Sequence, residues 1–238
     1  YLMSKTLRKL TVIFWQTLYY LVQFALCIFA DLILKRRLGA QKEHPVRWRE
    51  RLGETKTVRP QGKLIWLHAV GLGEVMALRG LINFILKIKP DCNFLVTSGT
   101  LQSAELFSQN LPANTIHQFI PLDTHKFRQR FLTQWKPNLL IWSEQEIWPG
   151  FIKDCARLEI PQVWINARMG DKAYNSRRWL NPFFGDLYSN FKFISAQDKK
   201  TAQNIGKLID PNLKYLIRVH GSLKPAAPRL QSKLIIPR

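Results

Sequence analysis

Seven short runs rich in β-branched and aromatic residues recur along this chain, and their spacing limits the folds open to it. They are "KLIWLHAV" (63–70), "NFLVTS" (93–98), "TIHQFI" (115–120), "NLLIWS" (138–143), "QVWINA" (162–167), "FKFISA" (191–196) and "KYLIRVH" (214–220). Between most of them lie stretches of helical periodicity, such as "EVMALRGLINFILKI" and "KTAQNIGKL". Strands alternating with helices predict parallel βαβ units, because a parallel pair needs a crossover connection. The runs are apolar almost throughout, as expected of strands covered on both faces. The expectation is an α/β fold, a Rossmann-like parallel sheet with flanking helices, over 63–221. Residues 179–188 are ambiguous, since Pro182 and Gly185 interrupt them.

Ahead of this pattern, "LTVIFWQTLYYLVQFALCIFA" (10–30) carries no charge. About twenty helical residues at 1.5 Å each cover about 30 Å, the thickness of a bilayer's hydrocarbon core. A membrane-anchor helix over 1–34 is predicted, either spanning the bilayer or lying in its interface. The run is long for a signal peptide and lacks a small-x-small cleavage site. Lys5, Arg8 and Lys9 precede it, and a basic collar over 35–62 follows, with Lys35, Arg36, Arg37, Lys42, Arg47, Arg49 and Arg51. The heavier downstream charge favours a main domain facing the cytoplasm.

The formal net charge of +20 calls for an anionic partner. No nucleic-acid-binding motif is present, and the apolar segment argues against that class. Cys27, Cys92 and Cys155 form neither a metal signature nor a disulfide framework, which suits buried thiols in a reducing compartment.

Polar residues gather after each run: Gly71-Leu72-Gly73-Glu74, Ser98-Gly99-Thr100, Asp123, Glu144-Gln145-Glu146, Asn166 with Arg168, Gln197 with Asp198, and Gly221-Ser222-Leu223-Lys224. Open α/β sheets bind ligands at the carboxyl ends of their strands, although Ser, Asp and Asn also stand there as helix caps. Glu74 is a lone carboxylate among glycines and aliphatics. It suits proton abstraction from a hydroxyl, or a helix-start acid favoured by the dipole. Glu144 and Glu146 precede Pro149, a first-turn residue, between Trp142 and Trp148. They read as a partly desolvated pair, or as dipole stabilisation with aromatic packing. A dinucleotide fingerprint from Gly71 would need glycine where Met76 stands, and no serine-nucleophile elbow is present. His68 and His220 read as structural, and His44, His117 and His125 lack ligand spacing. Neither a metal nor a cofactor is expected.

Taken in order, "WLHAVGLGEVMALRGLI", "LIWSEQEIWPGFI", "INARM" and "VHGSLKPAAPRL" resemble motifs of the 3-deoxy-D-manno-octulosonic acid (Kdo) transferases, membrane-associated glycosyltransferases of lipopolysaccharide assembly. The apolar segment, the collar and "RERLG" fall in the family's order. The resemblance implies the N-terminal domain of a GT-B glycosyltransferase, which takes a phosphorylated lipid A precursor while a C-terminal domain binds CMP-Kdo. Transfer in the family inverts the anomeric centre and needs a carboxylate base, at the position matching Glu74. A second functional acid lies in its Glu-Thr-Glu-Leu-Trp-Pro motif, matching Glu144, with Glu146 beside it. Gly73, Arg47, Arg49, Arg51, Glu146 and Arg168 are candidates for acceptor contact, and Ser222 and Lys224 for donor contact. An inner (cytoplasmic) membrane location, with the catalytic domain facing the cytoplasm, is implied. Where the family's first loop reads Ser-Val-Gly-Glu, this chain has Gly71 and Leu72. Gln145 replaces Thr, and Gly150 replaces the Asn that follows Pro. Residues 222–238 read as the start of an interdomain linker, with the donor domain outside the chain, so the 238 residues alone are expected to be inactive. The alternative is a non-catalytic, membrane-anchored lipid-binding module.

Overall fold

The computed structural model describes residues 5–109, 111–145 and 147–223. Glu146, Lys224 and the linker expected beyond Leu223 lie outside them. The chain runs α1 (Lys5–Gly39), a 3-10 turn (Trp48–Leu52), β1 (Leu64–His68), α2 (Leu72–Ile88), β2 (Asn93–Ser98), α3 (Leu101–Ser108), β3 (Thr115–Phe119) and α4 (His125–Trp135). It continues through β4 (Leu139–Ser143), α5 (Pro149–Arg157), β5 (Gln162–Ala167), α6 (Asp171–Arg178), α7 (Asn181–Tyr188), β6 (Phe193–Ala196), α8 (Lys199–Gly206), a second 3-10 turn (Pro211–Leu216) and β7 (Ile217–Val219).

All seven strands join one sheet in the order β3-β2-β1-β4-β5-β6-β7, and every pairing is parallel. The order reverses between β1 and β4: the chain leaves β1 toward β2 and β3, then returns beside β1 and proceeds the other way. One face of the sheet is covered by α2 and α3, where Val75, Leu78, Ile82 and Phe107 meet Phe94 and Val96. The other face is covered by α4, α5, α7 and α8, packed around Trp66, Trp142 and Trp164. Near-complete burial of β1, β2 and β4 explains why they read as unbroken apolar runs, whereas edge strand β7 is largely exposed.

Five strands are shorter than their runs, β7 the most. Asp210 caps the second 3-10 turn by accepting from Asn212 N at 2.8 Å, and Pro211 opens it, so Lys214–Leu216 turn before β7 begins. The ambiguous stretch resolves into α7, with Pro182 in its first turn where no N–H is required. Gly185 sits inside that helix because a Cβ there would fall 2.6 Å from the Leu208 carbonyl.

The collar is part of the fold rather than a loose basic segment. The Arg47 guanidinium donates to both oxygens of Glu50 at 2.8 and 3.0 Å and to the His117 carbonyl at 2.8 Å. Glu50 in turn accepts from Phe119 N at 2.8 Å. Arg51 is buried and donates to Glu43, the Ile120 carbonyl and the Gly99 carbonyl. Residues 43–51 are thereby stitched to edge strand β3 and to the end of β2. The helix begun in the apolar run continues to Gly39, past the expected boundary at residue 34.

Candidate functional site

Because β1 and β4 are neighbours, the turns that follow them open side by side at the carboxyl edge. This is the topological switch point, where helices depart to opposite faces and leave a crevice. Glu74 leaves the turn after β1 and Glu144 the turn after β4.

Glu74 stands in the first turn of α2, partly exposed. Its Oε2 accepts from Val70 N at 3.1 Å and Gly71 N at 3.3 Å. These N–H groups have no partner within the helix, and a carboxylate satisfies them while meeting the positive end of the helix dipole. Gly73 beside it is exposed, and a Cβ there would meet nothing within 4 Å. The space over the helix mouth is open.

Glu144 is held differently. It is 5% exposed and its backbone is left-handed, φ 59°, a region that costs a non-glycine residue about 1–3 kcal/mol. Three neighbours fix it there. Its N–H donates to the Ile165 carbonyl at 3.2 Å, its own carbonyl accepts from Trp164 Nε1 at 2.6 Å, and its Oε1 accepts from Asn166 Nδ2 at 3.1 Å. Asn166 is left-handed too, φ 51°, a conformation its short polar side chain tolerates better than most. Its own oxygens accept from Gln197 Nε2 and from Leu223 N, both at 3.1 Å. One amide thus ties together the ends of β4, β5 and β6 and the segment after β7. Reading by residue type placed Asn166 at a strand end but gave it no role. The signal for one was a carboxylate and an amide following neighbouring strands.

Further along the same segment, α5 opens with Pro149 and Gly150. Gly150 N donates to Asp123 Oδ2 at 3.0 Å and to the Tyr19 hydroxyl at 2.9 Å. Asp123 follows β3 but is buried in a network rather than facing the crevice. Arg128 donates to Asp123 at 3.1 Å, to Asp154 at 2.7 Å and to Gln23 at 3.0 Å. Burial opposes the Arg128 charge, but the two carboxylates outweigh it and hold the guanidinium above its ordinary pKa. A Cβ at position 150 would lie 2.2 Å from Arg128 Nη1 and 2.5 Å from Asp123 Oδ1, so this network occupies the space a side chain would need.

The remaining sequence candidates fall in different places. Arg168, just after β5, is exposed, as is Ser222. Arg47 and Arg49 line a groove of about 550 Å³ with Lys56, His117 and Gln118. That groove lies against edge strand β3, two strands away from the switch point. Arg49 pairs with Glu54 at 2.8 Å and keeps more than half its side chain exposed. Because Arg47 can only donate, His117 Nδ1 accepts from it at 3.1 Å, leaving Nε2–H to donate to Ser98 Oγ at 2.9 Å. Burial, then Arg47 and Arg51, push His117 down to about 3, so it is neutral. Among the described residues, no group of three or more His, Cys, Asp or Glu is arranged to hold a metal ion.

A parallel sheet with helices on both faces and a strand-order reversal between β1 and β4 places the domain in the Rossmann-like class. The family described as 3-Deoxy-D-manno-octulosonic-acid transferase (kdotransferase) matches residues 46–227. A probable Kdo transferase, mitochondrial, of Arabidopsis thaliana is 40% identical over 184 residues, covering 76% of this chain and 41% of the relative. The enzyme of Rickettsia bellii is 37% identical over 191 residues, covering 80% and 46%. This chain belongs to the Kdo transferase family, a family of glycosyltransferases, and spans less than half the length of these relatives. Among solved structures, UDP-GlcNAc 2-epimerase from Neisseria meningitidis bound to UDP-GlcNAc aligns with a TM-score of 0.46 and 14% identity, over 68% of this chain and 47% of that one.

Proposed function

We propose that this chain is the acceptor-binding half of a GT-B enzyme that transfers Kdo from CMP-Kdo to a phosphorylated lipid A precursor, with inversion at the anomeric carbon. The observation that carries the reading is the pair of carboxylates on adjacent turns at the switch point. Glu74 acts as the base. It takes the proton of the acceptor hydroxyl as that oxygen attacks the anomeric carbon, and CMP departs with the bonding electrons. The backbone N–H groups of Val70 and Gly71 that bind Glu74 in the resting domain hold its carboxylate at the helix mouth. Glu144, fixed by Asn166, supplies a stationary negative charge beside the reacting centre. Gly73 lets the acceptor sugar approach the backbone, and Glu146 is a further candidate for acceptor contact.

Arg168 and Arg49 are the acceptor's phosphate contacts, suited to it by their forked geometry. Arg47 and Arg51, committed to Glu50, Glu43 and backbone carbonyls, organise the collar behind them. Donor binding belongs to a second domain, with Ser222 and Lys224 as candidates for donor contact. The enzyme works on the cytoplasmic face of the inner membrane, where the acceptor's acyl chains are held, and nucleic acid is not a partner.

A second reading is favoured by the Glu74 hydrogen bonds, which also describe an ordinary helix cap. In it, the chain is a non-catalytic lipid-binding module. Calorimetry and a transfer assay in detergent separate the two. Residues 1–238 are expected to bind the phosphorylated acceptor weakly, to leave CMP unbound and to transfer no sugar, because the reacting atoms must meet within about 3–3.5 Å between two walls of a cleft. Joined to a donor half, the chain is expected to turn over. Turnover by the 238 residues alone contradicts this division of labour, and no turnover with a donor half favours the module.

A further inference from the structure

The segment long and apolar enough to cross a bilayer, Ile13–Gly39, does not stand clear of the domain. Tyr19, Gln23, Cys27, Ala30 and Leu34 recur every three or four residues and so share one helix face. That face is docked. Ala30 and Leu34 are buried against Leu52 and Phe127, with Cys27 packed beside them. Gln23 is buried and accepts from Arg128 at 3.0 Å. Tyr19 hydrogen-bonds Asp123 and accepts from Gly150 N, and its ring lies 6.3 Å from that of Phe183. The opposite face is apolar and open: Phe14, Leu21, Phe24, Ile28 and Leu32 are 60–67% exposed.

These two faces are incompatible with a span. Crossing the bilayer would pull residues 19–34 off the domain, placing Gln23 in hydrocarbon and depriving Arg128 and Asp123 of partners in a buried charged network. A helix lying flat in the interface keeps the polar stripe on protein and gives the apolar face to acyl chains. Charge selects the surface. Lys35 and Arg36 are exposed at the helix end, and the chain carries +20 overall, which complements anionic headgroups.

We propose that α1 lies in the plane of an anionic leaflet, its outer face in the acyl region and its inner face latched to the domain through Tyr19 and Gln23. The proposal rests on the membrane association given under Proposed function and deepens it. Because the latch grips Asp123 after β3 and Gly150 at the start of α5, both at the carboxyl edge of the sheet, it also sets the height of the crevice beside the bilayer. An acceptor held by its acyl chains would then meet Glu74 without leaving the leaflet.

The test uses the whole 238-residue chain with Cys27→Ala and, one at a time, Phe14→Cys, Leu21→Cys, Ile28→Cys and Leu32→Cys. All four positions are exposed, and Cys92 and Cys155 are buried away from the label. Spin labels are read for depth in vesicles of phosphatidylglycerol with phosphatidylcholine, and in phosphatidylcholine alone. The expected result is one shallow depth shared by all four labels, with binding about tenfold or more tighter on the anionic vesicles. A depth that changes steadily along the helix, or equal binding to both vesicles, overturns the proposal while leaving membrane association standing. Failure to insert in either vesicle overturns both.

Discussion

Glu74 and Glu144 leave adjacent strands of the same sheet, yet the protein holds them in opposite ways. Glu74 is partly exposed and, among the described residues, bonded to N–H groups at the start of its own helix. Those bonds can be traded for bonds to a substrate with little disturbance. Glu144 is buried in a left-handed turn, gripped by Asn166 on one side, while Gly150 six residues on is bonded to the Asp123 network. The first arrangement suits a group that must accept and release a proton. The second suits a charge that must not move. Holding Glu144 therefore takes structure drawn from much of the molecule, and holding Glu74 takes almost none.

The sharpest way to break this contrast is to remove the support beneath the Glu144 segment. Arg128 is 2% exposed and binds Asp123, Asp154 and Gln23 together. Arg128→Ala leaves Asp123 buried without its cation, and Asp154 with the more exposed Arg157, and is expected to cost about 3–5 kcal/mol in denaturant unfolding. A loss below about 1 kcal/mol would mean that the network is not what holds this side.

Acid should weaken the fold through a different pair. Burial pushes His68 down from 6.5 to about 3, and burial with Arg47 and Arg51 does the same to His117. Both are neutral when folded and take up a proton more readily when unfolded, so their contribution is complete above pH 6.5. It is lost as pH falls from 6.5 toward 3, by up to about 1.4 kcal/mol per pH unit for each histidine. Unfolding midpoints measured from pH 7.5 to 5 check this, and Ser98→Ala should leave the His68 part intact. A stability that is flat over that range would contradict the neutral buried imidazoles.

Asn166→Ala tests the grip on Glu144 itself. It removes the amide and places alanine in a left-handed backbone, with an expected loss of about 1–3 kcal/mol. Thr100→Ala, which removes the bond from Ser103 N to the Thr100 side chain capping α3, should cost about 1 kcal/mol and leave the grip on Glu144 unchanged.

Much of the fold was legible because its signals are local. β2 and β5 occupy the residues read as strands, since both of their faces are covered and the apolar run ends where burial ends. α5 begins at Pro149 for the reason proline begins helices. The positions of Glu74 and Glu144 at strand ends followed from the same pattern. What could not be read was pairing across distance. Gln23 and Arg128 lie 105 residues apart, and Arg51 and the Ile120 carbonyl lie 69 apart. An uncharged run with two glutamines looks like a spanning segment until the partner of Gln23 is seen, and an arginine-rich collar looks like a lipid-facing surface until its ion pairs are seen. Gly150 belongs to the same class. Its departure from the family's Asn is explained only by Arg128 and Asp123 occupying the space above it.

The central claim is that Glu74 removes the acceptor's proton, and single-turnover transfer reaches it most directly. The comparison is between an enzyme carrying both halves and its Glu74→Gln variant, each with CMP-Kdo and a lipid A precursor. Glutamine keeps an oxygen for the Val70 and Gly71 N–H groups, so unfolding should shift by no more than about 1 kcal/mol. Transfer should fall about 10²-fold or more, the scale of losing a general base. A folded Glu74→Gln enzyme that transfers sugar at a near-normal rate would contradict the account and return Glu74 to the role of a helix cap.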